Sequence, residues 1–151
     1  MTEALHRFRS GTVVMAEALH GLTLEEAARI PAPGKWSVNQ LVRHVADTEI
    51  VVAMRLRQIA AEDRPTLAPF DQDAWAARLG YETANPFVSL ALFEALRIDT
   101  TAMLETLPPE AFDRVSFHPE RGEKTLLEWV TLFGNHVYSH AEQIRKLRGG
   151  A

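Results

Sequence analysis

The 151-residue sequence contains no cysteine. It therefore cannot form disulfide bonds, use a cysteine nucleophile or bind a metal through thiolates, so any metal must be held by histidine and carboxylate side chains. The sequence also has no apolar run near the roughly 18 residues that a membrane span needs. Its polar N-terminal segment lacks the apolar block of a signal peptide. We therefore expect a cytoplasmic protein without a membrane partner.

An excess of positive charge is missing as well. Lysine and arginine number 16 against 20 aspartate and glutamate, giving a net charge of -4, and no run of basic residues stands out. Nucleic-acid-binding domains usually concentrate basic side chains on one surface, so we expect no nucleic-acid partner. The sequence also lacks the G-x-S-x-G, P-loop and G-x-G-x-x-G patterns, which excludes these common catalytic and nucleotide-binding motifs.

Four long segments place apolar residues in alternating steps of three and four, which is typical of amphipathic helices. These segments cover approximately residues 2–20, 37–60, 85–107 and 125–148. Ser37 with Gln40, and Thr125 with Glu128, have the spacing of a capping box at a helix start. Asn85 can cap the third helix, which then begins on a proline.

Length and composition indicate one domain spanning residues 1–151. The sequence is 46% hydrophobic and 24% charged, which is ordinary for a folded globular chain. Four helices of this length predict an all-α four-helix bundle. The connections are long: they predict short helices near residues 24–29 and 73–80, and either a loop or two short strands around residues 118–122. Such long connections allow the four helices to be arranged in an order other than simple up-and-down.

Two histidines lie four residues apart in the fourth predicted helix. His136 and His140 belong to the stretch FGNHVYSHAEQI, and helical geometry places their rings about 40° apart and about 6 Å apart along the axis. Buried imidazoles need hydrogen-bond partners or a shared metal. The spacing matches other helical H-x3-H metal pairs, while a hydrogen-bonded structural role is the alternative.

A third histidine strengthens the metal hypothesis. His44, in LVRHVADTE, borders the apolar stripe of the second predicted helix. If the second and fourth helices face each other, three imidazoles can share one metal and leave an open coordination position, as in catalytic sites. Only neutral imidazole binds a metal, so affinity should fall at acid pH. Asp47 could orient a ligand or reach the metal through water, or be a solvated carboxylate.

The other polar candidates are weaker. We expect His6 and His20 to be exposed near the ends of the first helix, and Gln143 to be a surface residue. His118 lies just before the fourth helix and is predicted to be a turn residue, with a position at the mouth of a pocket as the alternative.

The stretches GKWSVNQLVRHVADTE and TLLEWVTLFGNHVYSHAEQI, with FDQDAWAARLGY and HPERGE, resemble the DinB/YfiT-like family over nearly the whole length. One early histidine and a late H-x3-H pair occur in the order and context of that family. The resemblance implies a four-helix bundle with unusual connectivity. It also implies a divalent metal held by His44, His136 and His140, most often zinc or nickel, although three histidines suit iron and cobalt too.

Family members with known activity are thiol-dependent transferases or isomerases that use bacillithiol, mycothiol or glutathione. The resemblance therefore implies a metal-dependent thiol S-transferase acting on small electrophiles, with a low-molecular-weight thiol as cosubstrate. Metal-dependent hydrolysis is one alternative, and a non-catalytic, stress-associated bundle that binds a metal or small ligand is another. Arg43, Arg55 and Arg121 could bind carboxylates of such a thiol, although lone arginines are more often solvated. A homodimer is common in such bundles, and the sequence leaves the oligomeric state open.

Overall fold

The structure, a computed structural model, describes residues 1–149; Gly150 and Ala151, the end of the predicted domain, lie outside the described residues. The α-helices are α1 (Thr2–Leu19), α2 (Leu24–Ala28), α3 (Val38–Ala61), α4 (Gln72–Arg78), α5 (Pro86–Glu105) and α6 (Leu126–Gly149). Short 3-10 helices span Tyr81–Thr83 and Pro109–Asp113, and two strands form β1 (Val115–His118) and β2 (Gly122–Thr125). Within residues 1–149, no helix combines the length and the apolar character that crossing a membrane requires.

The four long helices form a bundle whose order departs from simple up-and-down connectivity. Helix α1 packs beside α5 and α6, and α3 packs beside the same two helices. The consecutive long helices α1 and α3 therefore occupy opposite corners, as do α5 and α6. A simple bundle would place consecutive helices side by side. The predicted all-α four-helix bundle is confirmed, with a small sheet added to it.

The helices that carry the three histidines begin where their local sequence predicts. The Ser37 hydroxyl accepts a hydrogen bond from the backbone N–H of Gln40, and the Gln40 side chain accepts one from the backbone of Ser37. Thr125 and Glu128 make the same reciprocal pair ahead of α6. These bonds satisfy N–H groups that have no partner inside the helix. Local capping thus fixes the starts of α3 and α6.

The packing of α1 against α6 sets the position of the late histidine pair. A β-carbon added at Gly134 would lie 3.4 Å from the backbone nitrogen of Phe8, so the absence of a side chain lets the two helices approach closely. Phe8 and Trp129 are fully buried in the same apolar cluster. Burial of each large apolar side chain stabilises the fold by about 1.5–3 kcal/mol. Helix α6 is therefore held firmly between α1 and α3.

The small sheet is an antiparallel hairpin joined directly to α6. His118 pairs with Gly122 at the turn, and Gly122 has a φ of +69°, which favours glycine. The last strand residue, Thr125, is also the residue that caps α6. The Trp129 indole N–H donates to the Ser116 hydroxyl at 2.9 Å. The hairpin and the start of α6 therefore form one packed unit.

Candidate metal centre

Three histidine side chains from α3 and α6 converge inside the bundle. The Nε2 atom of His136 lies 3.3 Å from that of His44 and 3.1 Å from that of His140. One ring nitrogen of each residue lies within 4.8 Å of the others. A tetrahedral zinc ion with bonds of about 2.0–2.1 Å would hold its ligand nitrogens about 3.3–3.4 Å apart. The spacing of these nitrogens therefore fits a shared metal ion.

The hydrogen bond of Gln143 favours the tautomer that a metal needs. The Nδ1 atom of His140 lies 3.1 Å from the Gln143 side-chain oxygen. A carbonyl oxygen only accepts, so Nδ1 carries the proton and the Nε2 lone pair is directed toward His136. A second residue that fixes the ring in this way is typical of histidine metal ligands.

Burial keeps the three imidazoles neutral. Desolvation, reinforced by repulsion from His140, lowers the pKa of His44 to about 4. Desolvation lowers the pKa of His136 to about 3, with smaller contributions from the other two histidines, Arg97 and Arg121. Burial also lowers the pKa of His140, partly offset by its bond to Gln143. Since the neutral ring is the form that binds metals, all three are in that form at neutral pH.

Aromatic side chains cover the His44 side of the centre. The Trp36 ring lies 5.3 Å from the His44 ring and 6.1 Å from the Tyr81 ring, measured between centroids. Tyr81 is fully buried. Its hydroxyl lies near the Asp47 carboxylate without reaching full hydrogen-bond geometry, and burial together with that carboxylate raises its pKa. The early histidine therefore sits in a largely apolar environment.

Asp47 lies within one turn of His44 but is bound by another residue. Its carboxylate lies 3.0 Å from Nη2 of Arg43 and accepts a hydrogen bond from the Arg43 Nε at 3.2 Å. The residue is 1% exposed, so the alternative of a solvated carboxylate is wrong. Among the described residues no hydrogen bond joins Asp47 to an imidazole, and its role in orienting a ligand stays a prediction.

Sequence reasoning underestimated several residues. Gln143 is exposed, as expected, yet it bonds His140; its position three residues further along one helix face was the available signal. His118 is not a simple turn residue: it ends β1 and is 2% exposed, and its Nε2 lies 3.1 Å from Nη2 of Arg55 on α3. Arg55 is 4% exposed rather than solvated. His6 and His20 are exposed, as predicted.

A buried ion pair beside the centre was not predicted at all. Arg97 donates from Nε and Nη2 to the two carboxylate oxygens of Glu49 at 2.8 and 2.5 Å, and from Nη1 to the Phe8 carbonyl at 3.0 Å. Both charged side chains are 1% exposed. This pair joins α1, α3 and α5 around the site.

Curated relatives of this chain carry names that refer to metals. A Bacillus subtilis protein named "Putative metal-dependent hydrolase YfiT" is 35% identical over 115 residues, which cover 76% of this chain and 65% of that protein. A similarly named protein of Oceanobacillus iheyensis is 30% identical over 114 residues, which cover 76% and 66%. This chain therefore spans just under two thirds of the length of these relatives.

The fold comparison agrees with the sequence comparison. The solved structure of Bacillus subtilis YfiT, described as "a probable metal-dependent hydrolase with an unusual four-helix bundle topology", has a TM-score of 0.86 and 26% identity. The match covers 99% of this chain and 88% of that one. Residues 7–144 also match the family model of the DinB superfamily. The chain therefore belongs to the DinB superfamily.

Proposed function

We propose that this protein is a metal-dependent enzyme in which His44, His136 and His140 hold one divalent cation. The observation that carries the proposal is the meeting of three neutral imidazoles at the separations a shared metal requires. The metal-dependent names of the relatives support it. Three protein ligands leave at least one coordination position for water or a substrate, which is the arrangement of catalytic sites. Zinc or nickel is the expected ion.

The reaction we propose is transfer of a thiol to a small electrophile. When bound, the metal lowers the pKa of a coordinated thiol or water and so supplies a nucleophile near neutral pH. The chain has no cysteine, so the thiol comes from a low-molecular-weight cosubstrate. Gln143 holds the His140 ring in orientation, and Trp36 and Tyr81 keep bulk water away from His44.

Hydrolysis is the second candidate, because the names of the relatives specify it. The same centre would then activate water in place of a thiol. In either case the partner is a small molecule, and we propose that residues 1–151 act as one cytoplasmic domain without nucleic acid. A bundle that binds metal without turnover is the non-catalytic alternative.

Metal analysis of the purified protein tests the centre. We expect about one divalent ion per chain in the wild type, and loss of most of it in His44→Ala and His136→Ala, because two imidazoles bind far more weakly than three. His6→Ala is the matched control, since that imidazole is exposed and outside the cluster. Full metal content in the His44 and His136 variants would overturn the assignment.

Activity assays then separate the reactions. The metal-loaded protein is incubated with an aromatic chloride and a panel of thiols, and separately with an activated ester in the absence of thiol. Thiol consumption that requires both metal and His136 supports transfer. Ester cleavage with the same requirements supports hydrolysis. Bound metal with neither activity supports the non-catalytic alternative.

A further inference from the structure

Arg55 is a buried arginine without a carboxylate partner among residues 1–149. Its side chain lies on α3 and is 4% exposed, and none of the ion pairs between described residues includes it. One nitrogen, Nη2, donates to the Ala68 carbonyl at 2.5 Å and lies 3.1 Å from the His118 Nε2. Its Nε is buried and unpaired. Because burying a charge without compensation is costly, this guanidinium has donor capacity that neighbouring residues do not use.

His118 adds to the surplus of donors. Its Nδ1 lies 3.2 Å from the backbone N–H of Glu120, in position to accept that hydrogen bond. The ring proton then sits on Nε2 and faces the Arg55 Nη2, so two donors oppose each other at 3.1 Å. If the proton moves to Nδ1, the Glu120 amide loses its acceptor instead. In either tautomer one donor lacks an acceptor, and an anionic oxygen could accept from both side chains.

A second arginine follows His118 in the same turn: the backbone N–H of Arg121 donates to the His118 carbonyl at 3.1 Å. Arg121 lies in the exposed turn between β1 and β2. Burial and then the charge of Arg121 lower the pKa of Arg55, whereas Glu120 acts in the opposite direction. Glu120 makes no ion pair with Arg55 within 4.0 Å. Two guanidinium groups and one exposed carboxylate thus leave a local positive charge, and planar guanidinium groups suit carboxylate or phosphate oxygens.

This cationic cluster is connected to the three histidines by packed aromatic rings. Arg55 lies eleven residues after His44 on α3, a displacement of about 16 Å along the helix axis. Its Cζ lies 5.8 Å from the centroid of the Trp129 ring. Trp129 stacks on Phe133 with centroids 5.5 Å apart, and Phe133 lies one turn before His136 on α6. A molecule that contacts both ends must therefore be extended.

We propose that Arg55, His118 and Arg121 form a binding subsite for a carboxylate or phosphate group of the substrate, whose reacting atom lies at the three-histidine centre. The connection to catalysis rests on the proposed function, whereas the anion site is tested without it. Arg55 and His118 have almost no exposed surface, so the anion approaches them from the side of the exposed Arg121. The substrate class is a small, extended molecule with its anionic group far from the reacting atom.

Nuclear magnetic resonance of the full-length protein tests the subsite directly. Inorganic phosphate and acetate are titrated separately into metal-free and zinc-loaded protein, at constant ionic strength. The Arg55 Nε–H, the Glu120 amide and the imidazole signals of His44, His136 and His140 are followed. We expect saturable shifts of the Arg55 and Glu120 signals in both states, loss of binding in Arg55→Gln, and binding about 10-fold weaker in Arg121→Gln, as for loss of one charge-assisted hydrogen bond. Arg57→Gln is the control: that arginine lies on the same helix but pairs with Asp99.

The outcomes separate the subsite from the metal centre. Unsaturable shifts, or equal affinity in Arg121→Gln and Arg57→Gln, would overturn the subsite; Arg121 is exposed, so this comparison stands even if Arg55→Gln fails to fold. Shifts confined to His44, His136 and His140 in the zinc-loaded state would show phosphate on the metal and would also overturn it. If anions bind at Arg55 but the protein holds no metal, the proposed function fails and the connection to catalysis fails with it.

A kinetic comparison tests that connection. With an active carboxylate substrate and its methyl ester, Arg121→Gln should raise KM for the carboxylate about 10-fold with little change in kcat, and should raise KM for the ester far less. Arg57→Gln, which lies outside the subsite and pairs with Asp99, is the control that should keep the wild-type constants for both. Equal changes for the anion and the ester would contradict the assignment of the subsite to the substrate.

Discussion

Two arginines are buried to nearly the same extent in this bundle, yet their surroundings differ. Arg97 donates to both oxygens of Glu49 and to the Phe8 carbonyl, and its guanidinium lies 3.7 Å from the centroid of the Phe8 ring. Arg55 has only one backbone carbonyl and one imidazole within hydrogen-bonding distance among residues 1–149. The first arginine is neutralised within the chain and connects three helices. The second retains unpaired donors at a position where an anion could bind.

The three histidines, like Arg55, have buried polar atoms that lack a hydrogen-bond partner suited to them among the described residues. Their Nε2 atoms are directed toward one another rather than toward protein acceptors, and the Nδ1 of His44 is buried without a partner among the described residues. Buried polar groups normally find hydrogen-bond partners. The contrast with the Glu49–Arg97 pair therefore distinguishes polar residues that hold the fold together from polar residues available to a ligand.

The strongest way to test this contrast is to break the paired arginine. Arg97→Met leaves Glu49 buried without its counter-ion, and burial already raises the pKa of that carboxyl group. We expect a loss of about 3–5 kcal/mol in the free energy of unfolding, measured by urea denaturation. The double variant Arg97→Met/Glu49→Leu should recover most of it, because no unpaired charge is left. A single variant within about 1 kcal/mol of the wild type would contradict a structural role for the pair.

The pH dependence of the metal-free protein tests the histidines. The folded pKa of His44, about 4, is below its ordinary value of 6.5. The contribution of neutral His44 to the free energy of unfolding is therefore fully present above about pH 6.5. It is lost as the pH falls toward 4, because His44 in the unfolded chain binds a proton at a higher pH than His44 in the folded protein. A difference of this size corresponds to about 3 kcal/mol from His44 alone. Urea denaturation between these pH values measures the free energy of unfolding as a function of pH. This dependence should have a smaller slope in His44→Leu than in the wild type, whereas His6→Ala should keep the wild-type slope. Equal slopes in the two variants would contradict the prediction.

Removal of the Gln143 side chain should weaken metal binding without removing a ligand. In Gln143→Leu the His140 ring loses the acceptor that fixes its proton on Nδ1. We expect about 10-fold weaker metal affinity. This is the lower end of the effect usual for residues that orient a metal ligand, because Gln143 is exposed. Competition with a chromophoric chelator measures this, and Glu142→Gln is the control, since that side chain is exposed and pairs with Lys146. Equal affinity in the two variants would contradict an orienting role.

The smallest expected change completes the comparison of the two arginines. Arg55→Met removes a bond to the Ala68 carbonyl but also removes a buried charge that lacks a carboxylate. These effects oppose each other, so the free energy of unfolding should change by less than about 1 kcal/mol. Thermal and urea denaturation of Arg55→Met and Arg97→Met, measured under the same conditions, provide the test. A loss equal to that of Arg97→Met would show that Arg55 serves the fold instead of a ligand.

The predictable parts of the molecule are those that depend on local sequence. The Ser37–Gln40 and Thr125–Glu128 capping boxes predicted helix starts because each is complete within four residues. The spacing of His136 and His140 placed both rings on one helix face for the same reason. Their meeting with His44 depended on which helices are adjacent, and it was inferred from the resemblance and from the apolar stripes.

Residues whose environment is set by distant contacts were not predictable. Glu49 and Arg97 are 48 positions apart, and nothing local to either shows that they meet in the core. Arg55 and His118 are 63 positions apart and meet where β1 pairs with the segment that follows α3. The sequence does not distinguish a loop from two strands at the hairpin, since four-residue strands carry little periodicity.

His44 and His136 come from positions 92 residues apart in a chain that has no cysteine. A cation shared by these side chains would act as a reversible cross-link, closing a loop that covers more than half of the sequence. A permanent link that closes such a loop stabilises the fold by about 4–5 kcal/mol, because it lowers the chain entropy of the unfolded state. A dissociable metal instead stabilises the fold in proportion to the logarithm of its free concentration. The resistance of this bundle to unfolding would then follow the metal supply of its surroundings.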